Sequence, residues 1–394
     1  MTSLHLTDLR IPSPDRPMST VSAEILVRDG KIAAVNPEAQ PDDVPVRSLG
    51  GRLVTPGLID AHTHLVWSGS RSNEHAMRFA GQSYEAIARA GGGIRSTVRA
   101  VQEASDEALL RQTVARARQL AREGVTTLEI KSGYGLTVHD ELRTLRVARQ
   151  VAHHVPVNVV TTLLAAHAIP EGMTAEAWVD IATEELIPRA AHENLCDAVD
   201  VFCESIGFTV AQCERIWSCA QAHGLAIKGH TEQLSNLGGG VAAARHGALS
   251  VDHVEYLSAE DVPALAASGT IAMLLPLAFY ALKETTLPPI ESLRQAGVPI
   301  AIATDANPGS APLISLRLAA HMGCTLMGLS PTEVWNGITC HAARALGLND
   351  RGSLAPGSRA DLAIWDAEGP ADIVCSVGTP ILHATLLAGV WNDA

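Results

Sequence analysis

The sequence predicts an α/β fold, a (β/α)₈ TIM barrel carrying a small β-sandwich domain built from both chain ends. Three observations lead there. Between Leu53 and Ala303, eight short apolar and mostly β-branched runs alternate with longer helix-compatible segments. Polar residues able to do chemistry gather at one end of seven of those eight runs. The two ends of the chain differ from this middle part and read as short strands joined by turns.

In chain order, EILVRDG followed by KIAAV predicts a hairpin turning through Asp29 and Gly30. The barrel strands are expected at Leu53–Asp60, Val125–Lys131, Val157–Leu164, Ala198–Cys203, Leu225–Gly229, Ala248–Val251, Thr270–Leu275 and Val298–Ala303. Segments such as Arg111–Arg122 and Glu141–Ala152, rich in Ala, Leu, Arg and Glu, supply the helices between them. Eight such units suit a barrel whose typical size is ~250 residues. A doubly wound sheet would need a glycine-rich phosphate turn after an early strand, and no G-x-G-x-x-G or P-loop follows any of the runs. GSLAPGSRADLAIWD and the run Ala384–Val390 return to short strands. The expected division is residues 1–55 and 353–394 for the two parts of the sandwich and 56–352 for the barrel.

Composition narrows the class. The 394 residues carry 29 Lys plus Arg against 42 Asp plus Glu, a formal charge of −13, with 47% hydrophobic residues. That is a globular balance, and it argues against binding nucleic acid through a broad basic face. Seven cysteines without C-x-x-C spacing predict neither a disulfide framework nor a cysteine-rich zinc knuckle. MTSLHLTDLR has no signal-peptide pattern, and the longest apolar segment, Ile271–Leu282, is interrupted by Pro276 and is far short of the ~20 residues that cross a membrane. A cytoplasmic protein with no membrane partner is expected. Sixteen histidines against four Phe and four Tyr form an unusual ratio.

Several of those histidines fall at strand ends. The first strand closes on Asp60-Ala-His62-Thr-His64, the fifth on His230, the sixth on Asp252 and His253, and the eighth on Asp305. His62 and His64, two apart on a strand, point to one face. With His230 and Asp305 they make a set of three imidazoles and one carboxylate that suits zinc or iron(II) and leaves a position for water.

This arrangement resembles the amidohydrolase superfamily: H-x-H after strand one, His at strands five and six, Asp at strand eight. In binuclear members a carboxylated lysine bridges two metals from the end of strand four. Cys203 and Glu204 stand there instead, so the resemblance implies one divalent or trivalent metal ion, zinc or iron, per subunit. GSRSNEHAMRFAGQSYEAIARAGGGIRSTVRA, EIKSGYGL, LLAAHAIP, HTEQLSNLGGG, LSVDHVEY and TDANPGSAP together resemble the imidazolonepropionase family of histidine degradation. Members hydrolyse 4-imidazolone-5-propanoate to N-formimidoyl-L-glutamate, opening a cyclic amide. The competing expectation is another mononuclear member acting on a nucleobase-like ring.

The implied substrate joins a propionate to a planar ring. Arg71, seven residues after His64, is the expected carboxylate partner. Tyr134 between Gly133 and Gly135, His167 at the end of strand three as a hydrogen-bond donor, Gln233, and the loop Asn307, Gly309 and Ser310 with its backbone N–H groups are the other substrate contacts that the resemblance implies. Asp305 and His253 are the catalytic candidates, through proton transfer or polarisation of the carbonyl attacked by a metal-activated water. Some members have Glu at position 233; Gln cannot take a proton, so a base role there is excluded. Glu232 is expected to point away. Lys131 and Glu129 read as a strand-end ion pair or a catalytic pair, Gly91–Gly93 as a lid or a turn, and Cys203 and Cys340 as packing residues. The small-molecule substrate is the expected partner, together with a second copy of the chain in a homodimer.

Overall fold

Residues 3–38, 43–82 and 92–393 are described by the structure, a computed structural model. The chain begins with strands β1 (Leu4–Pro12), β2 (Thr20–Arg28), β3 (Lys31–Val35) and β4 (Val46–Pro56). β2 and β3 form the expected hairpin, with Arg28 opposite Lys31. Asp29 and Gly30 both take positive φ, 52° and 75°, the geometry whose twist matches the flanking strands.

The single run Leu53–Asp60 is divided. β4 ends at Pro56 in one sheet, and β5 (Leu58–Asp60) opens another. Gly57 is the crossing point. Its N–H donates to Asp361 O (2.9 Å), whereas that of Leu58 donates to Gly124 O (2.9 Å). A Cβ at Gly57 would stand 2.1 Å from Thr126 Oγ1, so the backbones meet there only because the side chain is missing.

β5, β6 (Val125–Lys131), β7 (Asn158–Ala166), β8 (Ala198–Cys203), β9 (Ala226–Ile227) with β10 (Gly229–Thr231), β11 (Ser250–His253), β12 (Ile271–Leu274) and β13 (Ile300–Ile302) pair in parallel around a nearly closed barrel. β9 and β10 share the fifth position, interrupted at Lys228, whose N–H donates to Val199 O. Asp305 N–H donating to His62 O (2.9 Å) and His64 N–H donating to Ala306 O (3.0 Å) draw the first and eighth positions together. At the fifth and sixth positions the strands run further than the apolar runs suggest, so His230, Asp252 and His253 lie on β10 and β11, whereas β12 and β13 are shorter than expected. Helices Asp106–Ala121 and Val138–Gln150 occupy the expected segments and start at Ser105 and Thr137, whose hydroxyls cap the first turn.

The expected β structure from the chain ends is a seven-stranded sheet in which β14 (Leu362–Trp365), β15 (Leu382–Leu387) and β16 (Val390–Asp393) continue from β4. It encloses its own apolar cluster, including Leu6, Ile25, Val54, Leu362 and Leu386. Trp365, fully buried at its base, donates from Nε1 to Thr55 Oγ1 (2.9 Å). The Arg317 guanidinium donates to the carbonyls of Ile373, Thr379 and Ser376 and fastens the segment after β14 to the barrel. Among the described residues no helix is long and apolar enough to cross a membrane, and all seven cysteines are free.

Candidate metal centre and active site

The four expected ligands converge at the C-terminal end of the barrel. His62 and His64 Nε2 stand 3.3 Å apart, and Asp305 Oδ1 lies 3.4 Å from the first and 3.3 Å from the second. One donor atom from each of His62, His64 and His230 falls within 4.8 Å of the others. Two donors held at about 2.0–2.1 Å on one tetrahedral ion would be about 3.3–3.4 Å apart. His230 Nε2 is buried without a hydrogen-bond partner, a state that costs free energy unless something else accepts its lone pair. The residues therefore fit a metal ion.

Burial alone would push the carboxyl of Asp305 up, but His62 and His64 beside it hold it well below the usual carboxylate range. Burial pushes His64 down to about 4 and leaves it neutral, as a ligand must be. Asp305 takes positive φ, 52°, at the end of a strand that hands directly into the Asn307 loop. Asn307 Nδ2 donates to Asp305 O (2.7 Å), which holds that turn closed.

Beneath the ligands lies a buried charge network. His62 Nδ1 is 2.6 Å from Asp252 Oδ2, and His230 Nδ1 is 3.1 Å from Asp200 Oδ2. The hydrogen bond to Asp252 fixes the His62 tautomer with Nε2 free to face a metal, and Asp200 stands beside the corresponding nitrogen of His230. Lys131 Nζ lies 2.8 Å from Asp200 and 2.9 Å from Glu129. Lys228 Nζ lies 2.9 Å from Glu129 and donates to Ala61 O (3.0 Å). Both lysines are fully buried. Burial opposes the charge on Lys131, but Asp200, Glu129 and Asp252 outweigh it and raise its pKa. Lys131 and Glu129 thus do form an ion pair, as part of this network. Asp200 and Lys228 were not expected from the sequence, and Asp252 was noted there only as the strand-end neighbour of His253.

A cavity of ≈ 80 Å³ opens above the expected metal ligands, with Tyr134, His167, Gln233, His253, Asn307 and Ser310 in its wall. Phe202, which the sequence reading missed, joins them.

Residues 53–393 match the model of the amidohydrolase family. The chain is 54% identical over 372 residues to an imidazolonepropionase of Ectopseudomonas mendocina (strain ymp), covering 93% of this chain and 92% of that one. It is 53% identical over 371 residues to the imidazolonepropionase of Paracoccus denitrificans (strain Pd 1222), covering 93% of each. The chain belongs to the imidazolonepropionase family of amidohydrolases. A solved 5-methylcytosine deaminase from Klebsiella pneumoniae shares the fold with a TM-score of 0.76 at 17% identity, covering 99% of this chain and 98% of that one.

Within this imidazolonepropionase-family site, the loops are fixed by carboxylates reaching back from neighbouring elements. Glu141, on the helix after β6, accepts from the N–H groups of Gly133, Gly135 and Leu136 at 2.7–2.8 Å and so sets the loop that carries Tyr134. Glu204, at the end of β8, accepts from Leu234 N–H (2.8 Å) and Ser235 Oγ (2.6 Å), just beyond Gln233. Glu232 points away from the cavity, as expected, and accepts from the N–H groups of Gly239 and Gly240, both at 2.8 Å.

Two expectations about donors are corrected. His167 Nδ1 is 2.8 Å from Gly133 O. A carbonyl only accepts, so Nδ1 carries the hydrogen. Burial pushes the ring down to about 3, so the neutral ring offers Nε2 to the cavity as an acceptor, not a donor. The N–H groups of Gly309 and Ser310 do not face a substrate either, because both donate to Asn307 Oδ1 at 2.8 Å. Gly309 instead allows close approach: a Cβ there would stand 2.2 Å from an Arg71 guanidinium nitrogen. Arg71 packs on that loop and is oriented by Glu74, 2.8 Å away. His253 has positive φ, 85°, its ring centroid lies 5.5 Å from that of His230, and burial pushes it down to about 3. Its Nδ1 is 3.9 Å from Glu255, whose carboxyl burial pushes up to about 8. Cys203 is packed in the core, and Cys340 is half-buried. Of the lid segment, Gly91 and most of SYEAIARAGGGI lie outside the described residues. Gly93 precedes helix Ile94–Glu103, and its N–H donates to Glu74 (3.1 Å).

Proposed function

We propose that this chain hydrolyses 4-imidazolone-5-propanoate to N-formimidoyl-L-glutamate in histidine degradation. The observation that carries the reading is the identity of more than half of the chain's residues with imidazolonepropionases over almost its whole length. The convergent His62, His64, His230 and Asp305 support a metal-assisted hydrolysis.

In this reading those four residues hold one ion, which supplies Lewis acidity toward water and the ring carbonyl. The buried charges favour a divalent ion. Lys131 and Lys228 face Glu129, Asp200 and Asp252, and Asp305 adds a further negative charge, so the set is short by two positive charges. Zinc or iron(II) meets that and the imidazole-rich donor set.

Hydrolysis adds water at the ring carbonyl carbon, breaks the bond from that carbon to the ring nitrogen, and returns a proton to the nitrogen. Asp305, held ionised, takes the proton from water and delivers it. Neutral His253 keeps one N–H to donate toward the developing oxyanion. Arg71 pairs with the propionate, Tyr134 and Gln233 hydrogen-bond the substrate, and the His167 Nε2 acceptor receives a ring N–H. Asn307, Gly309 and Ser310 shape the floor that places Arg71. The test is the decay of imidazolonepropionate absorbance with purified protein. Turnover that chelator abolishes and added metal restores is the expected result. Metal-loaded protein without turnover would reject the reading.

A further inference from the structure

Among the described residues the barrel holds two groups able to ligate a metal. Besides His62, His64 and His230, one donor atom each of Asp200, His230 and Asp252 lies within 4.8 Å of the others, all buried. A cation already stands in the second group. Lys131 Nζ is 2.8 Å from Asp200 Oδ2 and 3.7 Å from Asp252 Oδ2, and Glu129 closes a third side at 2.9 Å. The same two aspartates orient the metal-facing imidazoles of His62 and His230. Lys228 sits one step further away, with Glu129 and Ala61 O as its near partners and Asp252 at 3.9 Å.

We propose that Lys131 is the second cation of this centre. Its ammonium fills the Asp200–His230–Asp252 group, so the chain takes up one metal ion where the ligands offer places for two; it hydrogen-bonds Asp200, the partner of His230, and balances the charge of Asp252, the partner of His62, at 3.7 Å. Lys131 is a positioning residue, since it touches neither substrate nor the metal. The physical basis is charge: two buried carboxylates this close need a positive partner, and an ammonium supplies it without competing for the Nε2 donors of the catalytic ion.

The proposal rests on the metal-binding reading of His62, His64, His230 and Asp305, and one experiment separates the two. Protein stripped with chelator is titrated with zinc, and bound metal per chain is measured by elemental analysis, with circular dichroism and melting temperature recorded in parallel. Wild type is expected to saturate at one equivalent; none would overturn the metal reading itself. Lys131→Ala, which removes the charge and opens space, is expected to saturate at two. Saturation of Lys131→Ala at one overturns the proposal. Lys131→Met removes the charge but fills the space. It is expected to bind a single zinc roughly 10–100-fold more weakly, the usual effect of losing an outer partner of a metal ligand. Should the alanine variant not fold, this affinity decides, and a wild-type affinity in folded Lys131→Met overturns the proposal.

Discussion

At the scale of single residues, the site divides into what alternation along a strand reveals and what only packing reveals. His62 and His64, His230, His253 and Asp305 stand out because they interrupt apolar strands at the end where barrel chemistry gathers. The charges beneath them were equally present in the sequence. Glu129 and Lys131 are two apart on β6, and Lys228 and His230 two apart across β9 and β10, so each pair shares the inward face. Glu129 and Lys131 were read as a pair, but Lys228 and Asp200 were passed over, although a charge within a buried parallel strand departs from the apolar rule. The partners of those charges come from different strands, and no spacing within one segment shows them. The same applies to the Nδ1–H of His167, which is committed by a carbonyl of the neighbouring loop. Two predictions belong here. Asp305→Asn removes an anionic ligand and the proposed proton carrier, so metal content should drop and kcat/KM should fall by orders of magnitude; a metal-replete, active variant would contradict it. Gln233→Ala should mainly raise KM, because Gln233 lines the cavity and cannot carry a proton. A matching loss in kcat with unchanged KM would remove it from substrate binding.

Among the elements, the barrel strands and the first hairpin were legible because each rests on a local rule, β-branched runs and the Asp29-Gly30 turn, whereas the helices begin at Asp106 and Val138, ahead of the expected Arg111 and Glu141, at the hydroxyl caps Ser105 and Thr137. The break at Gly57 was passed over by reading Leu53–Asp60 as one strand although Pro56-Gly57 interrupts it; at that point the chain changes sheet and Gly57 lets Thr126 on β6 approach closely. Gly57→Ala should therefore cost about 1–3 kcal/mol through overpacking, read as a lower midpoint in urea. An unchanged midpoint would show that the joint has slack. Helix Pro331–Gly337 offers a pH test. Its Ser330–Glu333 capping box is joined by Arg294, which, with the Ser330 bonds, pulls Glu333 from its ordinary 4.5 down to about 2. A depressed folded-state pKa stabilises above the unfolded value and loses that contribution as pH falls from about 4.5 toward about 2. The melting-temperature gap between wild type and Glu333→Gln should shrink across that window. A gap as large at its acid end as at neutral pH would assign the effect to packing.

The whole molecule joins a barrel to a sheet made from both termini, and the joint is polar as well as apolar. Arg317 meets three carbonyls after β14. Arg317→Met leaves them without a partner at about 1–3 kcal/mol each where they stay buried. Hydrogen exchange should rise first in residues 370–380, before the barrel responds; uniform exchange across the chain would show that the two parts open together.

The first and eighth barrel positions meet across the widest interval of chain. Thr304 donates to the Asp60 carboxyl from both its N–H (3.1 Å) and its hydroxyl (2.7 Å), across 244 residues of sequence, and the proposed ligands His62 and Asp305 sit on the backbone bond beside them. The centre thus straddles the seam that closes last as the chain leaves the ribosome. Synthesis order then sets when metal can be loaded: a nascent chain that has not yet presented Asp305 has two histidines on one strand and a third on another, without the anion that completes them. Metal capture becomes a report that the barrel has shut.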